Sequence, residues 1–222
     1  MIEVHELNQA DEIARQLRCP SGRMAMETAE NMFASNVLMI FKTIDSLHIE
    51  DGNTILETGF GNGKHLPYLF GKATNLKYDG IDISEEMVAA ARSNNHSYTS
   101  AGRAAFHLID ANAPIPFPNE KFNRFFSVNT IYFWPDVSYY LHEIHRVLKP
   151  GGKMTLGFVD KSFGEKLPFT QTGFNFYEAE EIEKLAREAG FKHVGFILQT
   201  DTAVSKDGRE VARPYYVLDA DV

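Results

Sequence analysis

Ile55-Leu56-Glu57-Thr58-Gly59-Phe60-Gly61-Asn62-Gly63 reads as the end of a buried strand running straight into three alternating glycines, with a carboxylate two residues before the first. Glycine at such a turn permits positive φ and lets a ligand approach the backbone where a Cβ would collide. The spacing discriminates between ligands. A dinucleotide-binding turn needs G-x-G-x-x-G, yet Lys64 stands where its third glycine would fall and Gly63 comes one residue early. Glu57 points the same way, because a carboxylate would be repelled by a pyrophosphate and attracted by an ammonium group. The turn predicts a nucleoside ligand that carries a cation.

Outward from this turn, short β-rich runs alternate with helical patterns. Strands are predicted near residues 53–58, 76–81, 104–109, 122–128 and 153–159, and helices near 64–71, 84–93, 136–148 and 178–189. Such alternation implies right-handed βαβ units and a parallel sheet covered on both faces. The runs 192–199 and 213–219 have Asp207-Gly208 between them and no helical pattern, so they predict a hairpin at the sheet edge. Before the turn, Ala25, Ala29, Met32, Phe33, Val37, Ile40, Phe41 and Ile44 recur at the spacing of one helical face, predicting a helix over 24–45. A weaker helical pattern at 6–18 is separated from it by Cys19-Pro20-Ser21-Gly22.

The chain has 222 residues, 44% of them hydrophobic, which suffices for one α/β domain and is too few for two. A net charge of -8 argues against a nucleic-acid partner, which would require a basic patch. Cys19 is the single cysteine, so no internal disulfide framework is expected. No leader or long apolar run suggests export or a membrane partner, and the expected compartment is the cytosol.

The E-x-G-x-G-x-G pattern of Glu57 to Gly63 resembles motif I of the class I S-adenosylmethionine-dependent methyltransferases, in particular the type 11-like members. S-adenosylmethionine is a nucleoside with both an ammonium and a sulfonium. The resemblance covers roughly residues 50 to 200. It implies a Rossmann-like α/β fold: a seven-stranded, mostly parallel sheet with an antiparallel last strand and helices on both faces. It further implies a single domain, with an N-terminal helical cap at 1–46 on a core at 47–222, and S-adenosylmethionine as cofactor on Glu57, Gly59, Phe60, Gly61, Asn62 and Gly63.

Later motifs extend the resemblance. In Tyr78-Asp79-Gly80-Ile81-Asp82-Ile83-Ser84, Asp82 ends the second strand and could accept both ribose hydroxyls. Either Asp82 or Ser84 could instead cap the next helix. Leu108-Ile109-Asp110-Ala111-Asn112, followed by a Pro- and Phe-containing loop, is similar to the family's strand-three ending, where an acidic residue meets the adenine amino group. That implies Asp110, with Ile83, Met87 and Ala111 as apolar walls; a solvated turn aspartate is the alternative. Asn123 departs from the family's usual aspartate, a feature of strand starts, and Asn129 at the strand's C-terminal end is a candidate cofactor-lining residue. His142-Glu143-Ile144-His145 suggests metal only superficially, since Tyr140, Leu141, Ile144, Val147 and Leu148 set the buried face; no metal is expected.

The family chemistry is methyl transfer by in-line displacement, in which the protein supplies proximity, alignment and exclusion of water. A base is optional, and His65, Tyr132 and Asp160 are unranked candidates. Tyr132 and Trp134 after the fourth strand, with Phe163, Phe169, Phe174, Phe176 and Tyr177 after the fifth, suggest an apolar acceptor pocket, although core packing is the default for aromatics. Residues 15–35 and 160–176 would close over it; Arg23 and Glu27 could add polar contacts, although placement on the surface is the default for them. No Asn/Asp-Pro-Pro-Tyr follows the fourth strand, and the cysteine count disfavours pyrimidine, arsenic and radical chemistry. A small, largely uncharged or aromatic molecule is the leading acceptor for a monomer or homodimer. A protein-modifying enzyme and a non-catalytic cofactor-binding module are the alternatives, and a nicotinamide oxidoreductase fits worst.

Overall fold

The fold is that of a computed structural model, which describes residues 2–204 and 210–222. The two N-terminal helices are α1 (Ile2–Arg18) and α2 (Ala25–Ser46). They lead into β1 (Thr54–Thr58), α3 (Leu66–Phe70), β2 (Lys77–Asp82), α4 (Glu85–Asn94), α5 (His96–Ser100) and β3 (Ala104–Leu108). Then come β4 (Phe122–Val128), α6 (Val137–Val147), β5 (Leu148–Val159), α7 (Lys161–Gly164), α8 (Ala179–Glu188), β6 (Lys192–Val204) and β7 (Glu210–Asp221). The seven strands form one sheet in the order β3-β2-β1-β4-β5-β7-β6. β1 to β5 pair in parallel, and β7 lies antiparallel between β5 and β6.

Side-chain alternation along the strands builds two cores on opposite faces of this sheet. Leu56 and Phe125 pack with Leu141, Ile144 and Ile182 of α6 and α8. Their neighbours Ile55 and Phe126 pack with Ile44, Leu66, Leu69 and Met87 of α2, α3 and α4. Both faces of β1 and β4 are therefore buried, as their near-continuous apolar runs require. α2 lies across β5 where Gly157 has no side chain, and a Cβ there would collide with Thr43.

The predicted strands and the longer helices are present, with boundary differences that have local causes. β5 begins five residues early, at Leu148, because Leu148 pairs with Phe122 and the register resumes only at Arg124 and Lys153. Lys149 to Gly152 loop out opposite Asn123, so Pro150-Gly151-Gly152 ends α6 and makes an irregularity inside a strand rather than a separate turn. Asn123 Oδ1 accepts the Thr54 amide and the Lys149 ammonium at 3.0 and 3.2 Å, a structural role at the strand start. The predicted hairpin is β6 and β7, longer at its distal end because ladder pairing continues through Thr200 to Val204 despite the polar sequence. Asp207-Gly208 lies outside the described residues. α5 was not predicted; Asn95 precedes it, and its Nδ2 donates to the carbonyls of Ala91 and Gly63.

Candidate active site

The chain runs from β1 outward through β2 to β3, then crosses back to β4 on the other side of β1. Crossovers diverge at such a point and leave a crevice at the C-terminal ends of the strands. A cleft of about 1080 Å³, counted to its open mouth, occupies that position.

The turn after β1 forms its floor. Gly59, Gly61 and Gly63 all have positive φ, at 72°, 55° and 67°. Their surroundings separate their roles. A Cβ on Gly59 would collide with Thr130, and one on Gly63 would lie 2.8 Å from Asn95 Nδ2 and 3.1 Å from the Ala91 Cβ, whereas one on Gly61 would meet nothing within 4 Å. Gly61 thus faces the open cleft, and Gly63 serves the packing of the turn on α4. Glu57 is 3% exposed. Its Oε2 accepts from the Tyr78 hydroxyl and from His65 Nε2, the latter at 2.8 Å, so the imidazole proton resides on Nε2. Among the described residues, Oε1 of Glu57 has no partner.

Asp82 at the end of β2 is buried, and desolvation pushes its carboxyl up to about 7 against the opposing pull of the Ser84, Gly61 and Ile83 amides. Oδ1 accepts the Ser84 amide at 2.9 Å. The cap of α4 is Ser84, whose Oγ accepts the Met87 amide at 3.2 Å and donates to the Pro20 carbonyl at 2.6 Å. Glu86 Oε1 accepts the Gly22 amide at 2.8 Å. These contacts dock the Cys19 to Gly22 segment over the end of β2.

Ten of the twelve residues expected to hold a cofactor line this cleft: Glu57, Gly59, Phe60, Gly61, Asn62, Asp82, Ile83, Met87, Ala111 and Asn129. Gly63 lies behind the turn, and Asp110 is exposed, with Oδ1 accepting the Asn112 amide at 2.8 Å in a local turn. Trp134 lines the cleft, but Tyr132 does not. The Tyr132 hydroxyl accepts the Val159 amide and donates to Asn129 Oδ1 at 2.9 Å, and burial pushes its pKa well above the ordinary value. Phe174 and Phe176 pack on Tyr132, so the loop after β5 supports the floor from behind. None of its aromatics is among the lining residues. Asp160 caps α7 through the Phe163 amide, which leaves His65 as the only one of the three base candidates in the lining.

Sequence reasoning missed Arg18 and Asn36, which line the cleft; Arg23 and Glu27 are exposed and outside the lining, in keeping with the surface placement weighed for them. The signal for Asn36 was present: it interrupts the apolar face of α2 one turn from Met32 and Ile40, which line the cleft with it.

A family model described as "Methyltransferase domain" matches residues 56–156. The uncharacterized protein MJ1123 of Methanocaldococcus jannaschii is 31% identical over 179 residues, covering 76% of this chain and 79% of that protein. The chain belongs to the class I S-adenosylmethionine-dependent methyltransferases. The 27-O-demethylrifamycin SV methyltransferase of Amycolatopsis mediterranei is 29% identical over 111 residues, covering 50% of this chain and 40% of that enzyme. Among solved structures, the Haloferax volcanii complex between the Trm112 methyltransferase activator and a methyltransferase matches with a TM-score of 0.72 at 20% identity. It covers 87% of this chain and 92% of that one, and shows the shared fold. The methyltransferase uses S-adenosylmethionine, and its cleft has features that suit such a molecule: an open glycine turn, a carboxylate oxygen with no partner among the described residues, and a desolvated aspartate.

Proposed function

We propose that this methyltransferase moves the methyl group by in-line displacement to a small, neutral, largely apolar molecule. The observation that carries this reading is the character of the wall beyond the glycine turn, where Met32, Phe33, Ile40, Phe133 and Trp134 line the cleft beneath α2. An extended protein segment would need an open groove, and its backbone groups would find few partners there. The rifamycin methyltransferase named above supports a small-molecule rather than a protein acceptor.

Bound S-adenosylmethionine supplies an electrophilic methyl group on its sulfonium. In this reading Glu57 Oε1 receives the ammonium, held in place by Tyr78 and His65. Asp82 receives the ribose hydroxyls, Ile83, Met87 and Ala111 flank the adenine, and Gly61 and Asn62 follow the chain between them. Asn129 borders the reacting centre. The cap at 1–46 and the core at 47–222 act together as one unit, α2 excluding water from the acceptor. The test is incubation with methyl-labelled cofactor and cell extract: label should appear in the small-molecule fraction, and label confined to protein would overturn the proposal.

A further inference from the structure

Asn36, Asn129, Tyr132 and Arg213 form a hydrogen-bonded chain whose direction is dictated by its ends. At one end the Val159 amide can only donate, so the Tyr132 oxygen accepts from it and the hydroxyl proton goes to Asn129 Oδ1. The Asn129 amide is thereby oriented with Nδ2 toward Asn36 Oδ1, 3.2 Å away. At the other end the guanidinium of Arg213 can only donate, and Nη1 reaches the same Asn36 oxygen at 2.9 Å. Two donors on Oδ1 fix the rotamer of Asn36 and leave Nδ2, which has no partner among the described residues.

Arg213 is itself locked. Nε and Nη2 donate to the two oxygens of Asp201 at 2.9 and 2.7 Å, Nη2 also reaches the Ser35 carbonyl, and the two side chains are 8% and 4% exposed. Asp201 and Arg213 face each other in the β6–β7 register. A bidentate pair of this kind holds its geometry more rigidly than two flexible side chains would.

We infer that Asn36 Nδ2 is a specificity-determining donor in the acceptor pocket, and that the acceptor is a neutral apolar molecule carrying a carbonyl-type oxygen. The inference rests on the small-acceptor reading. Around Asn36 the helix contributes Met32, Phe33 and Ile40 to the cleft, so a fixed donor among them would select one acceptor oxygen on an otherwise apolar skeleton. A ligand that fills the pocket shields the half-buried Asn36 amide from water, so one lacking that oxygen would leave the donor unpaired at a cost. Arg213 acts as a positioning residue, since it does not line the cleft.

Trp134 is the single tryptophan and lines the same cleft, so its indole N–H gives one isolated NMR signal that reports on this pocket. With the protein saturated in adenosylhomocysteine, 1-tetralone and tetralin are titrated as probes of equal shape with and without the oxygen. The ketone should bind about tenfold more tightly, as one well-made hydrogen bond implies. Asn36→Asp keeps the shape and the Arg213 contact but replaces the donor with an acceptor, and should remove that preference. Arg213→Lys, which frees the amide to turn over, should reduce it several-fold. Equal binding of both probes by the parent, or an undiminished preference in Asn36→Asp, would overturn the inference alone. Failure of either probe to move the Trp134 signal would overturn the small-acceptor reading with it.

Discussion

Asp82 combines a position at the end of a strand with a carboxyl pushed from 3.8 up to about 7 by burial. A shift of this size corresponds to roughly 4 kcal/mol between the two protonation states. Its sign has consequences for stability and for binding. The folded protein retains this proton to higher pH than the unfolded chain, so the carboxyl costs stability progressively as pH rises from 3.8 towards about 7. A ligand that donates hydroxyls to Asp82 favours the ionised form and must displace the proton below that pH. Adenosylhomocysteine affinity should therefore rise by up to about tenfold per pH unit to about pH 7 and then level off, while Asp82→Asn should bind weakly with no such rise. Calorimetry across this range decides the matter, and a parent profile as flat as the variant's would separate Asp82 from the ligand.

At the level of elements, α4 starts where three separate requirements meet. Glu85 and Glu86 lie in its first turn, Ser84 caps it, and the same Ser84 hydroxyl ties down Pro20. Ser84→Ala removes the cap and the tie together, and should cost about 1–2 kcal/mol of stability in chemical denaturation. Because the Cys19 to Gly22 segment is held there, the variant should also lose protection from hydrogen exchange in that segment; unchanged exchange would show that Glu86 and Gly22 suffice. The existence of α4 was legible from periodicity and acidic residues, but the choice between Asp82 and Ser84 as its cap was not. Both stand at plausible positions along the chain, and only the strand's direction at Asp82 leaves Ser84 with the extended backbone that an N-cap adopts.

For the molecule as a whole, α2 has two functions along one helix. Its C-terminal half supplies Met39 and Ile44 to the cores, while Ala29, Met32, Phe33, Asn36 and Ile40 line the cleft. The loop over 160–176, expected to close over the acceptor, packs against Tyr132 from behind, and Thr172 donates to Asp11 of α1 at 2.7 Å. Adding adenosylhomocysteine should therefore raise hydrogen-exchange protection at residues 57–63 and 17–36 and leave 160–176 unchanged. Equal protection of the loop would restore it to the closing elements. No helix among the described residues is long and apolar enough to cross a membrane.

The glycine spacing after Glu57, the β–α alternation and the aspartate ending β2 determined the fold class and most of the cleft, because these signals are local: each reflects one turn, one periodicity or one strand end. What only the tertiary structure decided depends on residues distant in the chain. Gly61 and Gly63 are alike in sequence and differ because α4 packs against one and not the other. Tyr132 and Trp134 are neighbours, yet one lies beneath the floor and the other lines the cleft, because Val159 and Asn129 capture the tyrosine hydroxyl. Asn36 reaches the cleft on the α2 face it shares with Met32 and Ile40, but the partner that fixes its amide, Arg213, comes from the β6–β7 hairpin across 177 residues of chain. Periodicity places a residue on a face, but it does not record which hydrogen-bond partner the rest of the fold will bring.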